Sequence, residues 1–138
     1  MKPKNLLLLL FVTVIALSLA ACGPKPTTAE IIPPSSVEKI EGSDLQKVKL
    51  TEKAAERIGV QTVPAEGMVV PYSAVIYDID GTTWIYTNPE PLTFVRAQVV
   101  IDRIEGDQAF LAQELETDAP VVTVGVMEIY GAETGVSK

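Results

Sequence analysis

The stretch TWIYTNPEPLTFVRAQVVIDRIEGDQAFLA, residues 83–112, decides the fold class of this chain of 138 residues. Its β-branched and aromatic residues form short runs separated by Gly, Pro, Asn and Asp, a pattern typical of β-strands joined by turns. We therefore expect a mainly β fold, a small antiparallel β-barrel or sandwich-like domain. The predicted strands are Ser73–Tyr77, Thr83–Thr87, Thr93–Ile104, Gln108–Ala112 and Val121–Val124.

Three short segments are expected to connect these strands. Asp80-Gly81 and Glu105-Gly106-Asp107 are predicted hairpin turns, because glycine tolerates the positive φ that such turns require. Asn88–Pro91 is predicted to be a loop, since neither of its prolines can donate a hydrogen bond to a β-ladder. The strands on either side of each hairpin turn should therefore pair with each other.

One short helix is expected ahead of these strands, after a strand-like alternation that starts at Val48. Thr51 suits an N-cap, Glu52 suits the positive end of the helix dipole, and Gly59 can end the helix in the left-handed conformation. A helix of two turns is stable only when it packs on another element. Its buried stripe would consist of Ala54, Ala55 and Ile58.

The amino terminus has the pattern of an export signal. Lys2 and Lys4 precede an apolar run that ends in Leu19-Ala20-Ala21-Cys22-Gly23, where small residues come before a cysteine. This resembles the bacterial lipobox, which implies cleavage after Ala21 and attachment of a diacylglyceryl group to Cys22. The alternative is an uncleaved membrane anchor, because Leu6–Cys22 approaches the lower limit of about 17 residues for a spanning helix. Either way, we expect the body of the protein outside the cytoplasm.

The predicted organisation is a signal peptide at residues 1–21, a lipidated Cys22 with a linker to residue 46, a β domain at residues 47–130 and a flexible tail at residues 131–138. The linker is assigned from its prolines, serines and threonines. About 24 such residues would span roughly 25 to 30 Å as a flexible coil, which would lift the domain clear of the lipid headgroups.

Composition excludes several classes of function. Removal of residues 1–21 leaves 117 residues (138 minus 21), enough for one small domain, with 9 basic and 18 acidic side chains and a net charge of −9. Such a surface repels the phosphates of nucleic acids. Histidine is absent and Cys22 is the single cysteine, so the usual zinc, copper or haem ligands, a disulfide and a catalytic triad are all missing. We expect no metal, no cofactor and no enzymatic activity.

The stretch Ala74–Thr83 looks like the first motif of the haloacid dehalogenase phosphatases. That resemblance implies that Asp78 acts as the nucleophile and Asp80 as the general acid. The downstream acidic residues, the lysine and the doubly wound α/β sheet that this chemistry needs do not follow in the sequence. A calcium loop also fails, since Pro89 stands where a bidentate glutamate belongs. We therefore interpret Asp78 and Asp80 as part of an acidic hairpin turn.

Three aromatic residues are candidates for a partner or ligand surface. Trp84, Tyr86 and Phe94 could line a groove, although aromatic residues at a spacing of two are more often core residues or cross-strand pairs. The sequence is therefore compatible with a ligand surface and with core packing for these three side chains.

Taken together, the body is similar to the membrane-proximal domain of periplasmic adaptor proteins, the membrane fusion proteins of resistance-nodulation-division and some other exporters. Val48–Val63 looks like the first strand and short helix of that domain. The residues that carry the rest of the resemblance are Pro71–Tyr77, Asp80-Gly81, Trp84-Ile85-Tyr86, Phe94–Val99, Gly106-Asp107 and Val121–Gly125.

Complete adaptors place a β-barrel, a lipoyl-like domain and a long helical hairpin between the leading and closing segments of this series. Here Pro64–Met68 joins the two directly, and Glu116–Pro120 stands where the family usually has a glycine-containing turn. The resemblance implies an adaptor-like lipoprotein, anchored through Cys22, that docks on an export or efflux transporter. The alternative is a stand-alone envelope module that binds another protein or a small ligand.

Overall fold

The structure is a computed structural model, and it describes residues 32–135. Within this range the chain forms ten strands, two helices and a 3-10 turn at Tyr72–Ala74. The strands are β1 Ser35–Lys39, β2 Gln46–Leu50, β3 Gln61–Val63, β4 Val69–Pro71, β5 Ile76–Tyr77, β6 Thr83–Glu90, β7 Thr93–Val99, β8 Ile101–Glu105, β9 Gln108–Leu111 and β10 Val121–Val124. The helices are α1 Glu52–Ile58 and α2 Val126–Thr134.

The strands form two antiparallel sheets. The larger sheet has the order β1-β2-β7-β6-β10-β3, with β5 paired to β6 as well, and the smaller sheet has the order β4-β9-β8. The mainly β, antiparallel fold predicted from the sequence is confirmed. Among the described strands, the two ends of the larger sheet, β1 and β3, do not pair with each other, so the sheet is open and not a closed barrel.

The larger sheet is covered on both faces, because its central strands send alternate side chains to opposite sides. Tyr86 and Val122 belong to one apolar cluster together with Ile129 of α2, whereas Ile85 and Val121 belong to the other. The second cluster also contains the buried residues of the smaller sheet, which are Val70, Ala109 and Leu111. The two helices therefore cover one face of the larger sheet, and the smaller sheet covers the other.

Helix α1 begins and ends where the sequence predicts. The Thr51 hydroxyl accepts a hydrogen bond from the Ala54 N–H at 3.2 Å, and Gly59 has a φ of 70° and donates to the Ala55 carbonyl. Ala54 is buried, while Ala55 and Ile58 are partly buried against the same apolar cluster. Cap and stripe are therefore both confirmed.

Three predicted strand boundaries are corrected. Thr93–Ile104 is two strands, since β7 ends at Val99 in the larger sheet and β8 begins at Ile101 in the smaller one. Ser73–Tyr77 contains the end of the 3-10 turn and only the two-residue strand β5. Most of the predicted loop Asn88–Pro91 belongs to a strand, because β6 continues to Glu90 and only Pro91 lies in the turn that follows. Pro89 lies in a register shift between Thr87 and Glu90, where its missing N–H breaks no ladder hydrogen bond.

The predicted linker to residue 46 is also corrected. Strand β1 lies inside it and pairs with β2 from Ser35 to Lys39. Most of β1 is exposed at the edge of the sheet, and Val37 is its one large apolar residue. An edge strand that buries so little has hardly any hydrophobic pattern, which is why composition indicated a linker.

The predicted flexible tail after Tyr130 is corrected in the same way, because α2 extends to Thr134. Val126 and Ile129 of this helix are buried in the cluster beneath it. Gly125 precedes the helix with a φ of 87°, and a Cβ there would lie 2.6 Å from Cγ2 of Ile58. The chain therefore has two helices instead of one, and the start of α2 packs directly on the end of α1.

Candidate functional site

The acidic stretch that resembles a phosphatase motif forms a tight hairpin turn between β5 and β6. The Asp78 N–H donates to the Thr82 carbonyl at 2.9 Å, and the Gly81 N–H donates to the Asp78 carbonyl at 3.0 Å. The Asp80 carboxylate accepts from the Thr82 N–H and hydroxyl, which holds the pKa of that carboxyl below its usual value. The Trp84 indole in turn donates to the Thr82 hydroxyl at 2.7 Å. The interpretation as an acidic hairpin turn is confirmed.

Asp78 also belongs to a polar network centred on Arg96, which joins this turn to β6, β7 and α2. Nη1 of Arg96 lies 3.1 Å from Oδ2 of Asp78, and Nε lies 3.0 Å from Oε1 of Glu133. The Tyr130 hydroxyl donates to the other Asp78 oxygen at 3.1 Å, and the Tyr86 hydroxyl donates to Oε2 of Glu133. One cation thus connects two carboxylates, and each carboxylate also accepts from a phenol.

This network is largely removed from water. The side chains of Arg96, Asp78 and Glu133 are 17%, 22% and 3% exposed. The guanidinium lies over the Trp84 ring, 4.9 Å from its centroid, and 6.0 Å from the centroid of Tyr130. Nε of Arg96 is buried and has no hydrogen-bond partner, so its contact with Glu133 is a close ion pair without hydrogen-bond geometry.

The phenols in the network remain protonated. Burial, followed by the hydrogen bond to Glu133, raises the pKa of Tyr86 far above 10. Burial and the hydrogen bond to Asp78 also raise the pKa of Tyr130. Both hydroxyls therefore act as donors to carboxylates, and the arrangement holds the carboxyl-terminal helix α2 against the sheet. Its role is structural.

The three aromatic candidates from the sequence do not form a common surface. Tyr86 is fully buried and Phe94 is 2% exposed, and both lie in the apolar cluster under the helices. Trp84 is partly buried at the edge of this cluster, beneath Arg96. Tyr86 and Phe94 are thus core residues, and a partner could reach only part of the Trp84 ring.

Two of the concave regions within residues 32–135 are considered as candidates for binding. A groove of about 370 Å³ lies between α1 and α2, and its walls include Leu50, Ala54, Ile58, Met127 and Ala132. Pro34 and Ser35, where the described chain enters β1, form part of the same groove. The groove is almost entirely apolar, and Met127 in its wall is 62% exposed.

The second concave region is a cleft of about 560 Å³ on the face of the larger sheet that carries the smaller sheet. Its floor includes Thr87, Val95 and Ala97, and the segment from Gln113 to Thr117 forms one wall. That segment carries Glu114 and Glu116, so the cleft combines an apolar floor with acidic side chains on one side.

Among residues 32–135, no three His, Cys, Asp or Glu side chains are grouped so that they could hold a metal ion. In the same range no helix has both the length and the apolar character needed to cross a bilayer. The predicted lipidation site Cys22 and the cleavage position Ala21 lie outside the described residues.

Comparison with known proteins gives no match: no protein family, no curated protein and no solved structure is recognisably similar to this chain.

Sequence reasoning missed the centre of the buried network. Arg96 stands in an alternating strand, where a charged residue is normally taken as solvent-facing, and Glu133 lies in the segment assigned to a flexible tail. The available signal was the register, because Arg96 follows Phe94 at a spacing of two and therefore shares its buried face. A cation on a core-facing position requires a buried carboxylate partner.

Proposed function

We propose that this protein is an extracytoplasmic lipoprotein, anchored in the membrane through lipid on Cys22, that docks as an adaptor-like accessory subunit on an export or efflux transporter. The observation that carries the proposal is that the leading and closing segments of the adaptor-like series meet in a single sheet. The resemblance assigns both segments to one membrane-proximal domain, and a chain without the intervening domains can form that domain only if they pair directly.

The pairing involves both ends of the leading segment. In β2, Val48 lies opposite Phe94 of β7, and in β3, Val63 lies opposite Val121 of β10. Val48, Phe94 and Val121 are at most 2% exposed, so these pairs contribute to the core of the fold. Pro64–Met68 then leads from the larger sheet into β4 of the smaller one. Within the described residues, the two segments therefore pair directly, without an inserted hairpin between them.

With β1 starting at Ser35, the proposed tether is shorter than the 24 residues that the sequence suggests. Only 12 residues, 23 to 34, separate Cys22 from the first strand. Twelve residues span at most about 40 to 43 Å even when fully extended. The described chain enters β1 beside the groove between α1 and α2. A lipid on Cys22 would thus keep this end of the domain near the headgroups, within reach of the membrane-proximal part of a transporter.

The proposed role is an accessory one. From residue 32 to residue 135 the longest helix is α2, with nine residues, which rise only about 14 Å. A helix of this length cannot bridge a periplasm. We infer that the protein modulates or stabilises a transporter on one membrane and does not by itself extend the transport path.

The test uses the full chain with its signal, produced in its own host with a carboxyl-terminal tag. A lysine-reactive crosslinker is added to intact cells, and the tagged protein is recovered from solubilised membranes. We expect a transporter subunit in the recovered material and a diacylglyceryl group on the peptide that begins with Cys22. The matched control is Cys22→Ser, which removes the lipidated thiol and should abolish both. Recovery of no transporter subunit from wild-type cells would refute the adaptor role.

A second candidate function is supported by the cleft between Thr87, Val95 and the Gln113–Thr117 segment. Its volume of about 560 Å³ falls within the range of roughly 300 to 1,000 Å³ typical of small-ligand sites. In that case the protein is an envelope ligand-binding module. A rise in the melting temperature with one class of small molecule, lost on replacing Ala97 in the floor of the cleft by Phe, would favour this function over docking.

A further inference from the structure

One corner of the domain presents large apolar side chains to solvent. We call it the Ile79 corner, and it consists of Tyr72, Tyr77 and Ile79. Their exposed fractions are 41%, 55% and 102%, so Ile79 contacts almost nothing in the described protein. The neighbouring Tyr72 side chain raises the pKa of Tyr77, so the two phenol groups lie close to each other. These exposed side chains contribute little to the stability of the fold, since apolar area that remains in water gives no hydrophobic stabilisation.

The backbone that carries Ile79 is nevertheless held firmly. Its own N–H donates to Oδ1 of Asp78 at 2.8 Å, and the other oxygen of that carboxylate is bound by Arg96. On the other side, Asp80 is hydrogen-bonded to Thr82. A turn whose backbone is already held in one conformation loses less conformational entropy on binding than a mobile one, which is an advantage for a residue that anchors a partner.

Charges around the corner indicate what kind of partner it fits. Asp80 is fully exposed in the turn next to Ile79. The Tyr72 N–H donates to the Asp107 carbonyl at 2.8 Å, so a second acidic residue stands near the aromatic side of the corner. The chain as a whole carries a charge of −7, and −9 after loss of the signal peptide with Lys2 and Lys4. A surface that matches this corner must therefore be apolar in the middle and basic around it.

We propose that the Ile79 corner is the docking surface for a protein partner, with Ile79 inserted into an apolar pocket whose rim carries Lys or Arg side chains facing Asp80 and Asp107. Tyr72 and Tyr77 pack beside the pocket and exclude water from it, as the residues around an interface anchor do. The identification of this partner with a transporter rests on the function proposed above, whereas the location of the surface rests on the corner itself.

A lipid surface fits this corner less well than a protein does. Headgroups of anionic membranes repel Asp80 and Asp107, and a single aliphatic side chain buries too little area to hold a domain on a bilayer. A protein pocket lined with basic residues turns the same two carboxylates into favourable contacts. The corner therefore favours a protein as its occupant.

The experiment places a photo-crosslinking amino acid at Ile79 in the full, tagged chain in its own host. The matched control position is Val37, an exposed apolar residue of β1, which is separated from β6 by β2 and β7. We expect a crosslinked protein product from Ile79 and none from Val37. The variants Ile79→Ser and Val37→Ser are compared in parallel. Ile79→Ser should lower the affinity for the captured partner by at least about tenfold, and Val37→Ser should leave it unchanged.

Each outcome has a defined meaning. If lysine crosslinking of the wild type recovers a transporter subunit but the Ile79 position gives no product, the docking surface is wrong and the adaptor role stands. If Ile79 captures a different protein, Ile79→Ser weakens binding of that protein and no transporter is recovered, the surface is right and the adaptor role falls. Products at Val37 alone, lipid adducts alone at Ile79, or equal binding by both serine variants overturn the inference. Unchanged circular dichroism of both variants confirms that neither substitution acts by unfolding.

Discussion

Replacing Arg96 with methionine should destabilise the domain far more than replacing Arg103 with methionine. The two arginines make similar sets of contacts: Arg96 lies beside Asp78, Glu133 and the Trp84 ring, and Arg103 lies beside two carboxylates and the Phe110 ring. They differ in burial, because the side chain of Arg103 is 51% exposed and that of Arg96 is 17% exposed.

The magnitude follows from what each substitution leaves behind. Without Arg96, the carboxylate of Glu133 is 3% exposed and has no opposite charge, and removal of one partner of a buried ion pair costs about 3 to 5 kcal/mol. The ion pairs of Arg103 are exposed to water, where solvent screening leaves such pairs with little net contribution to stability. Methionine retains much of the apolar volume of the arginine stem in both variants, so lost packing contributes little to the difference.

The assay is urea denaturation of the mature chain, monitored by far-ultraviolet circular dichroism. The chain carries Cys22→Ser so that no lipid is attached. The free energy of unfolding should fall by about 3 to 5 kcal/mol in Arg96→Met and change far less in Arg103→Met. In the double variant Arg96→Met and Glu133→Gln, a large part of the loss should be recovered because the buried charge is gone. Equal losses for the two arginines, or a double variant as unstable as the sum of the single ones, would refute the reasoning.

The remaining predictions concern the aromatic core and the contact between the helices. The pKa of Tyr86 is raised in the folded state. Below about pH 10, Tyr86 is protonated in both the folded and the unfolded chain, so its contribution to the free energy of unfolding does not change with pH. Above that pH the free energy of unfolding should fall by about 1.4 kcal/mol per pH unit from this residue, and Tyr86→Phe should lack that component in urea titrations at increasing pH. Gly125→Ala should lower the free energy of unfolding by about 2 to 4 kcal/mol, because it combines backbone strain with a clash on Ile58. Gly59→Ala is the control, since Gly59 has a similar φ but open space around it, and it should lower the free energy of unfolding by only about 1 to 2 kcal/mol. Thermal melts that show equal losses for the two variants would contradict the contact between Gly125 and Ile58. Trp84→Ala should cost about 3 to 5 kcal/mol, and an unchanged melting curve would show that the ring is not part of the core.

Local patterns determined the class of the fold and several of its elements. The β-branched runs predicted β6, β9 and β10, and the turn chemistry of Asp80-Gly81 predicted the β5–β6 hairpin. Thr51 and Gly59 determined both ends of α1. These features depend on residues close in sequence, where propensity, capping and hydrogen bonds within a few residues dominate. Acidic composition and the absence of histidine likewise follow from the sequence alone.

Tertiary structure decided the features that depend on distant partners. Strand β1 is stable because β2 supplies its hydrogen bonds, and α2 forms because Ile129 reaches the core and Glu133 meets Arg96. The break at Val100 exists because the chain passes there from one sheet to the other. None of these causes leaves a local pattern, since each residue gains its stability from side chains far away in the sequence. For the same reason the sequence identified the acidic turn, but only the fold showed that Arg96 and Tyr130 bind Asp78 and that Ile79 faces solvent.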